Sequence, residues 1–161
     1  MTTITTLPTG AALAALMLAI AVSDWRRFRV PDALTVLALI LRGVDIVVAA
    51  PGMTVVALRD DSLRACVVAA LFYLFRTGYR RLRGREGLGL GDVKLAGVAG
   101  AWVEWELLPY VIEAAALVSL ALAVFRARRS SEGFNGAMRL PFAVGFAPAI
   151  FLGWSLGAYG F

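Results

Sequence analysis

The sequence GLGDVKLAGVAGAW, at residues 89–102, passes from a glycine-rich polar segment into an apolar run that reaches residue 105. Four small residues of this run recur at the spacing of close helix contacts in membranes: Ala96, Gly97, Gly100 and Ala101. The run, at residues 93–105, is shorter than the ~20 residues that cross a bilayer core, so it must tilt or the bilayer must thin locally. We therefore predict a short membrane helix that packs tightly against its neighbours.

Further apolar segments lie on both sides of this run, at residues 7–22, 33–50, 63–75, 107–125 and 140–161. The chain of 161 residues is 60% apolar, and its mean hydropathy is +0.79. It is too short for two ordinary globular domains and too apolar for a soluble protein. We predict an all-α fold, a polytopic transmembrane bundle of about six spans in contact with lipid, in which residues 1–161 form a single membrane-embedded domain.

The positive residues indicate the orientation of these spans. They cluster in the loops after the first, third and fifth apolar segments: Arg26, Arg27 and Arg29; Arg76, Arg80, Arg81, Arg83, Arg85 and Lys94; and Arg126, Arg128, Arg129 and Arg139. Lys and Arg near membrane ends are retained on the cytoplasmic side, so we assign these loops to the cytoplasm and both termini to the outside. The net charge of +5 then reflects topology, and we expect no nucleic-acid partner.

Histidine is absent from the chain, and cysteine occurs once, at Cys66. These two facts exclude Ser-His-Asp, Cys-His and HExxH mechanisms, an internal disulfide and a tetrathiolate zinc site. Carboxylates remain as the main candidates for acid–base chemistry near neutral pH. We expect neither a metal ion nor another cofactor.

Two aspartates are placed for such chemistry, because Asp24 lies at the end of the first predicted span and Asp92 precedes the fourth. The first span runs inward and the fourth outward, so both carboxylates are expected at the same depth, at the cytoplasmic rim. Two close carboxylates tend to share one proton. The ionised member can then activate a water for attack on a peptide carbonyl, while the protonated member donates to the developing oxyanion.

Other interpretations of the two aspartates remain open. Asp24 could balance the arginines that follow it, and Asp92 stands where an N-cap aspartate would stand at the start of a helix. The pair could also bind a proton or a cation in a small transporter, although such sites usually lie near the membrane midplane.

Glycines alternate immediately before Asp92, at Gly87, Gly89 and Gly91. They leave little side-chain bulk and allow backbone conformations that other residues avoid. An extended substrate strand could lie against such a segment, which could equally be a flexible start to a helix.

Several other charged residues fall inside or near the predicted spans. We expect Arg42 and Arg64 to pair with Asp45 or Glu113, because an unpaired charge is costly in a membrane. Lys94 is expected to extend toward anionic headgroups rather than to tune the pKa of the neighbouring aspartate.

Three segments resemble the signatures of one family: SDWRRFRVPD at residues 23–32, GLGDVKLAGVAGAW at 89–102 and RLPFAVGFAPAIFLGW at 139–154. They are similar to the type IV prepilin peptidases, membrane aspartyl proteases of the GxGD class. The resemblance implies that Asp24 and Asp92 are the catalytic pair, and that Asp32 replaces the usual Asn of the family. It also implies substrate-binding or supporting roles for four motif residues: Gly89, Gly91, Lys94 and Pro31.

The resemblance implies an aspartic endopeptidase of the cytoplasmic (inner) membrane that crosses it several times. Its substrates would be type IV prepilin-like precursors (pilins, pseudopilins or archaellins), from which it would remove the short basic leader. Longer family members carry an N-terminal domain with paired CxxC motifs that is associated with methylation, so we expect here the minimal form, which cleaves without methyl transfer. A proton- or cation-coupled transporter subunit and a non-catalytic pilus assembly factor remain the alternatives.

We expect a cytoplasm-active reporter to be active when fused after Arg29, Arg83 or Arg129, and inactive when fused after Arg59 or Phe161. The reason is that arginine-rich loops stay in the cytoplasm. Reporter activity in whole cells, normalised to the amount of fusion protein, measures this topology. Strong activity after Phe161 would contradict the six-span arrangement.

Overall fold

The computed structural model describes residues 3–49, 51–84, 87–129 and 142–159. Helices are the only regular secondary structure within these ranges: α1 (Thr3–Arg27), α2 (Asp32–Ala49), α3 (Thr54–Arg83), α4 (Leu90–Trp102), α5 (Leu108–Arg129) and α6 (Phe142–Tyr159). The predicted all-α bundle is confirmed, with one helix at each apolar segment of the sequence. Arg85, Arg139 and the start of the third resemblance segment lie outside the described residues.

α3 is much longer than the apolar segment at residues 63–75 that predicted it. It has 30 residues, which corresponds to a length of about 45 Å. Hydropathy marks only the apolar part of a helix, whereas the backbone continues its hydrogen bonds through charged residues at both ends. The helix stops at Gly84, whose left-handed φ of 65° is the usual helix-terminating conformation of glycine.

α4 lies at the centre of the bundle. Every residue from Leu95 to Trp102 is buried, and the helix packs against α2, α3 and α6. α1 packs against α6 and α2, and α5 packs against α6. The core includes fully buried side chains from three helices: Leu13, Met17 and Ile20 of α1, Leu95 and Val98 of α4, and Phe146 and Ile150 of α6. The six helices therefore enclose one continuous core.

Two glycines of α4 allow its backbone to approach α3 closely. A Cβ atom at Gly100 would lie 2.7 Å from the carbonyl oxygen of Arg64 and 2.8 Å from Cα of Ala65. A Cβ atom at Gly97 would lie 3.5 Å from Cβ of Ala69. The predicted helix contact through small residues is confirmed, and α3 is the partner.

Charged side chains join α2, α3 and α4 beside this contact. Arg42 donates from Nε to Oδ2 of Asp61 at 2.7 Å and from Nη1 to Oδ2 of Asp45 at 2.8 Å. Arg64 pairs with Asp61 and donates from Nε to the carbonyl oxygen of Gly100 at 2.7 Å. Because each buried charge has an opposite partner, the network avoids the cost of an isolated ion in an apolar surrounding.

The expected partners of the arginines are confirmed only in part. Asp45 pairs with Arg42 as predicted, whereas Glu113 is exposed on α5. Arg64 pairs instead with Asp61, which the sequence pattern placed in a loop. The reason is that α3 begins at Thr54, so Asp61 belongs to the same helix as Arg64 and lies one turn before it.

The outer surface of the bundle is largely apolar, with exposed side chains such as Ile40, Leu71 and Leu120. Among the described residues, two helices are long and apolar enough to cross a membrane, at Leu7–Arg27 and Leu108–Phe125, and a shorter apolar helix covers Phe142–Ala158. So much exposed apolar surface is unusual for a soluble monomer and suits contact with lipid. The remaining helices are shorter or carry more charge, so the crossing of the membrane by all of them stays a prediction.

We expect Gly100→Ala to lower the stability of the detergent-solubilised protein by about 1–3 kcal/mol. The added Cβ would meet backbone atoms of α3, which no change of side-chain rotamer can move away. Gly43→Ala is the matched control, since Gly43 also lies in a helix and nothing lies within 4 Å of its added Cβ. There the higher helix propensity of alanine should leave stability equal or slightly higher. Thermal melts measure both effects, and equal melting temperatures for the two variants would contradict the close contact at Gly100.

Candidate active site

Asp24 is buried near the C-terminal end of α1, where the residue is only 6% exposed. The helix ends at Arg27 because Phe28 adopts a left-handed φ of 51°, and the Phe28 amide donates to the Asp24 carbonyl oxygen at 2.9 Å. The Ser23 hydroxyl donates to the carbonyl oxygen of Arg29 at 3.0 Å. These two bonds fold the connection to α2 back over the end of α1.

Asp92 lies in the first turn of α4, where it is partly buried. Its Oδ2 accepts a hydrogen bond from the amide of Gly89 at 3.1 Å, and Gly89 is the N-cap residue of the helix. Asp92 therefore caps the start of α4, as one interpretation of the sequence predicted. It does so from the third position of the first turn, and Gly89 is the N-cap residue. The same bond fixes the direction of the carboxylate.

The pKa of Asp92 is raised from 3.8 to about 6. Burial is the main cause, the hydrogen bond from Gly89 opposes it, and the negative charge of Asp24 adds to it. Asp92 precedes the apolar run at residues 93–105, so it lies at the edge of the apolar segment. The charge of Asp24 thus favours the protonated form of Asp92, as expected for like charges in one site.

Each glycine before Asp92 faces a different neighbour. A Cβ atom at Gly87 would lie 2.6 Å from ring atoms of Tyr79, and one at Gly89 would lie 3.2 Å from Oδ2 of Asp92. A Cβ atom at Gly91 would lie 2.9 Å from Cβ of Val30. In the direction that a side chain would take, each of these glycines therefore meets atoms of the protein itself, while Gly87 and Gly89 remain exposed.

The C-terminal part of α3 supports the same glycine segment, a role that the sequence did not reveal. Arg76 donates from Nε to the carbonyl oxygen of Leu88 at 3.0 Å, and the ring of Tyr79 lies beside Gly87. In the sequence, Arg76 is one of several arginines that indicate topology. Nothing in the linear pattern distinguishes it, because its contact depends on the length of α3 beyond the apolar segment.

Lys94 and Pro31 lie close to this site. Lys94 Nζ forms an ion pair with Oδ1 of Asp32 at 2.6 Å, and its contact with lipid headgroups stays a prediction. The two side chains are 47% and 71% exposed, so the pair contributes at most about 1 kcal/mol. The carbonyl oxygen of Pro31 accepts the amide of Leu34 at 3.1 Å and so starts α2. Lys94 thus joins the start of α2 to the first turn of α4, and Pro31 lies beside this connection at the start of α2.

The arrangement suits proton transfer between carboxylates. Within the described ranges, no group of three or more His, Cys, Asp or Glu side chains is arranged to hold a metal ion. A carboxyl pair that shares one proton can act as both acid and base, which is the requirement for activating a water.

A family model described as the type IV leader peptidase family matches residues 11–124 of the chain. The matched range includes Asp24 and Asp92, and it also includes the four supporting motif residues. The match thus covers most of the chain and the whole of the candidate site.

The chain is similar to curated proteins of several bacteria. A prepilin leader peptidase/N-methyltransferase of Burkholderia pseudomallei is 35% identical over 158 residues, which cover 91% of this chain and 48% of that protein. Leader peptidase HopD of Escherichia coli is 38% identical over 97 residues, which cover 58% of this chain and 61% of that protein. The chain thus spans about half the length of the Burkholderia relative. No solved structure matches it.

Proposed function

This chain belongs to the type IV leader peptidase family, and we propose that it is an aspartic endopeptidase that removes the short basic leader from prepilin-like precursors. The observation that carries the proposal is the placement of two carboxyl groups where the turn after α1 contacts the first turn of α4. Asp24 is buried, and the pKa of Asp92 is raised to about 6, chiefly by burial and with a contribution from the charge of Asp24. Similarity to proteins named prepilin leader peptidases supports the substrate class.

In the proposed mechanism, Asp24 and Asp92 hold one proton between them and bind a water at the scissile peptide bond. The ionised carboxylate takes a proton from the water as its oxygen attacks the carbonyl carbon. The protonated carboxyl group donates its proton to the developing oxyanion. When the tetrahedral intermediate collapses, the C–N bond breaks and the proton taken from water passes to the amine of the leaving fragment. A hydroxyl of the intermediate returns a proton to the other carboxylate, which restores the pair with one proton.

The supporting motif residues act on the position of this pair. Gly89 bonds the carboxylate of Asp92 through its amide, and Gly91 leaves space for the connection after α1. Pro31 starts α2, and Lys94 ties the start of α2 to α4. None of the four transfers a proton, so we expect their substitution to affect rate through geometry.

We propose that the protein is a multi-pass protein of the cytoplasmic membrane, with the aspartate pair at the cytoplasmic rim. Arg26 and Arg27 follow Asp24 in the last turn of α1, which the positive-inside rule assigns to the cytoplasm. The leader of a prepilin-like precursor would stay in the cytoplasm ahead of an apolar helix. A pair at the rim meets this junction where unwinding the substrate backbone costs less than in the hydrocarbon centre.

We expect Asp24→Asn and Asp92→Asn each to reduce cleavage of a prepilin-like substrate by at least ~100-fold. Asparagine keeps the shape of the side chain, and at position 92 its oxygen can still accept the hydrogen bond from the Gly89 amide. It cannot accept a proton from water. Protein abundance and melting temperature should change little. Cleavage assays on membranes that contain equal amounts of each variant measure the loss, and the double variant should be little worse than either single one.

Asp32→Asn is the matched control, because Asp32 lies in the same region but its carboxylate is exposed rather than buried. It should retain activity within a few fold of the parent. Cleavage at close to the normal rate by either Asn variant of the pair would reassign that carboxylate to helix capping or charge balance. It would also favour the transporter alternative.

We expect inhibitors of serine, cysteine and metalloproteases to leave cleavage unaffected, because the mechanism uses neither a histidine-activated nucleophile nor a metal ion. Cys66→Ala should likewise remain active, since Cys66 lies on the exposed surface of α3. Cleavage assays with a chelator and with a thiol reagent test this expectation. Loss of activity with the chelator would contradict the carboxylate mechanism, and absence of cleavage under all conditions would favour an assembly factor.

A further inference from the structure

The two aspartates belong to helices that share little direct packing. α1 packs mainly against α6 and α2, whereas α4 packs against α3, α2 and α6. The distance between Asp24 and Asp92 must therefore be set by something other than a broad contact between α1 and α4. The nearest connection along the chain is the turn that follows Asp24, which reaches the first turn of α4 at Val30.

Val30 touches α4 at the residue immediately before Asp92. A Cβ atom at Gly91 would lie 2.9 Å from Cβ of Val30, 3.1 Å from its Cγ2 and 3.5 Å from its amide nitrogen. Cβ is the branch point of the valine side chain, and no rotation about χ1 moves it. The contact therefore leaves no room for any side chain at Gly91 while Val30 stays in place.

The turn that carries Val30 is itself held to α1. The amide of Phe28 bonds to the carbonyl oxygen of Asp24, and the Ser23 hydroxyl bonds to the carbonyl oxygen of Arg29. The residue before a proline is restricted to extended conformations, and a β-branched side chain has few rotamers. Val30 is thus a stiff residue whose turn is bonded to the end of α1 near Asp24 and whose side chain contacts the first turn of α4 near Asp92.

We infer that Val30 is a positioning residue that sets the separation of Asp24 and Asp92 through its contact with Gly91. A larger group at this contact would push the first turn of α4 away from the end of α1, and a smaller group would leave a gap. Since a displacement of about 1 Å can cost ~100-fold in rate, the contact bears directly on catalysis. The inference rests on the proposed function, but its geometric part is testable without cleavage.

The kinetic test enlarges the residue on one side of the contact, at Gly91, and reduces the residue on the other side, at Val30. Gly91→Ala should lower kcat by ~100-fold with little change in KM, because substrate binding survives while the pair is displaced. Combining it with Val30→Gly should raise kcat at least ~10-fold above Gly91→Ala alone, since the second change removes the atoms that the new Cβ meets. A double variant that is no more active than Gly91→Ala would overturn the inference.

Two further variants keep the test independent of the folding of Gly91→Ala. Val30→Gly alone should lower kcat, because it opens a gap and loosens the turn, whereas Val30→Thr keeps the branched shape and should retain most of the activity. Equal activity of Val30→Gly and the parent protein would also overturn the inference.

A structural readout separates this inference from the proposed function. In a Cys66→Ala background, Asp24→Cys and Asp92→Cys are combined and the yield of oxidative cross-linking is measured. Gly91→Ala should reduce this yield, and Val30→Gly should restore it. An unchanged yield in the presence of Gly91→Ala would refute the positioning role even if the parent cleaves, whereas the expected pattern would support it even if no prepilin-like substrate is cleaved.

Discussion

The close approach of α4 to α3 is the contact on which the rest of the bundle depends. Lipid is as apolar as the helices themselves, so helix association in a membrane relies on packing and on polar bonds rather than on burial of apolar surface alone. Gly100 supplies both the packing and a polar bond. Its missing side chain lets the two backbones approach, and its carbonyl oxygen accepts a hydrogen bond from the guanidinium of Arg64. Arg64 also pairs with Asp61, which accepts a hydrogen bond from Arg42 of α2, so the network connects α4 to α2 as well. α4 is thereby held at its C-terminal end by two helices at once.

The N-terminal end of α4 is held in a different way. Glycines are usually associated with flexible backbone, yet here Gly87 lies against the ring of Tyr79 and Gly91 lies against Val30. Arg76 holds the carbonyl oxygen of Leu88 within the same segment. The absence of side chains thus serves close contact between three parts of the chain. The carboxylate of Asp92 acquires a defined position because the Gly89 amide bonds to it and the neighbouring backbone is held by these contacts.

Charges are treated differently at the two ends of α4. Near its C-terminal end, two arginines and two aspartates neutralise one another through direct ion pairs: Arg42, Arg64, Asp45 and Asp61. Near its N-terminal end, burial and the charge of Asp24 raise the pKa of Asp92. A pair of like charges at a partly buried position costs free energy and contributes no stability, and such arrangements are typical of functional sites. The fold therefore pairs opposite charges where the helices pack, and it places like charges together at the candidate site.

Much of this protein was determined by local sequence alone. The apolar segments predicted the helices, and the absence of histidine together with a single cysteine directed attention to carboxylates, because composition limits the available chemistry whatever the fold. Asp24 and Asp92 could be selected because each stands at the end of an apolar segment. Topology then predicted that they share one depth.

Other features depended on the tertiary structure. The pairing of Arg64 with Asp61 required the true start of α3, and the contacts of Val30 with Gly91 and of Arg76 with Leu88 join residues on different parts of the chain. Periodicity reports which face of a helix is apolar, but it does not report which neighbour that face meets or how closely. Those distances follow from the packing of all the helices together, which no single segment of the sequence contains.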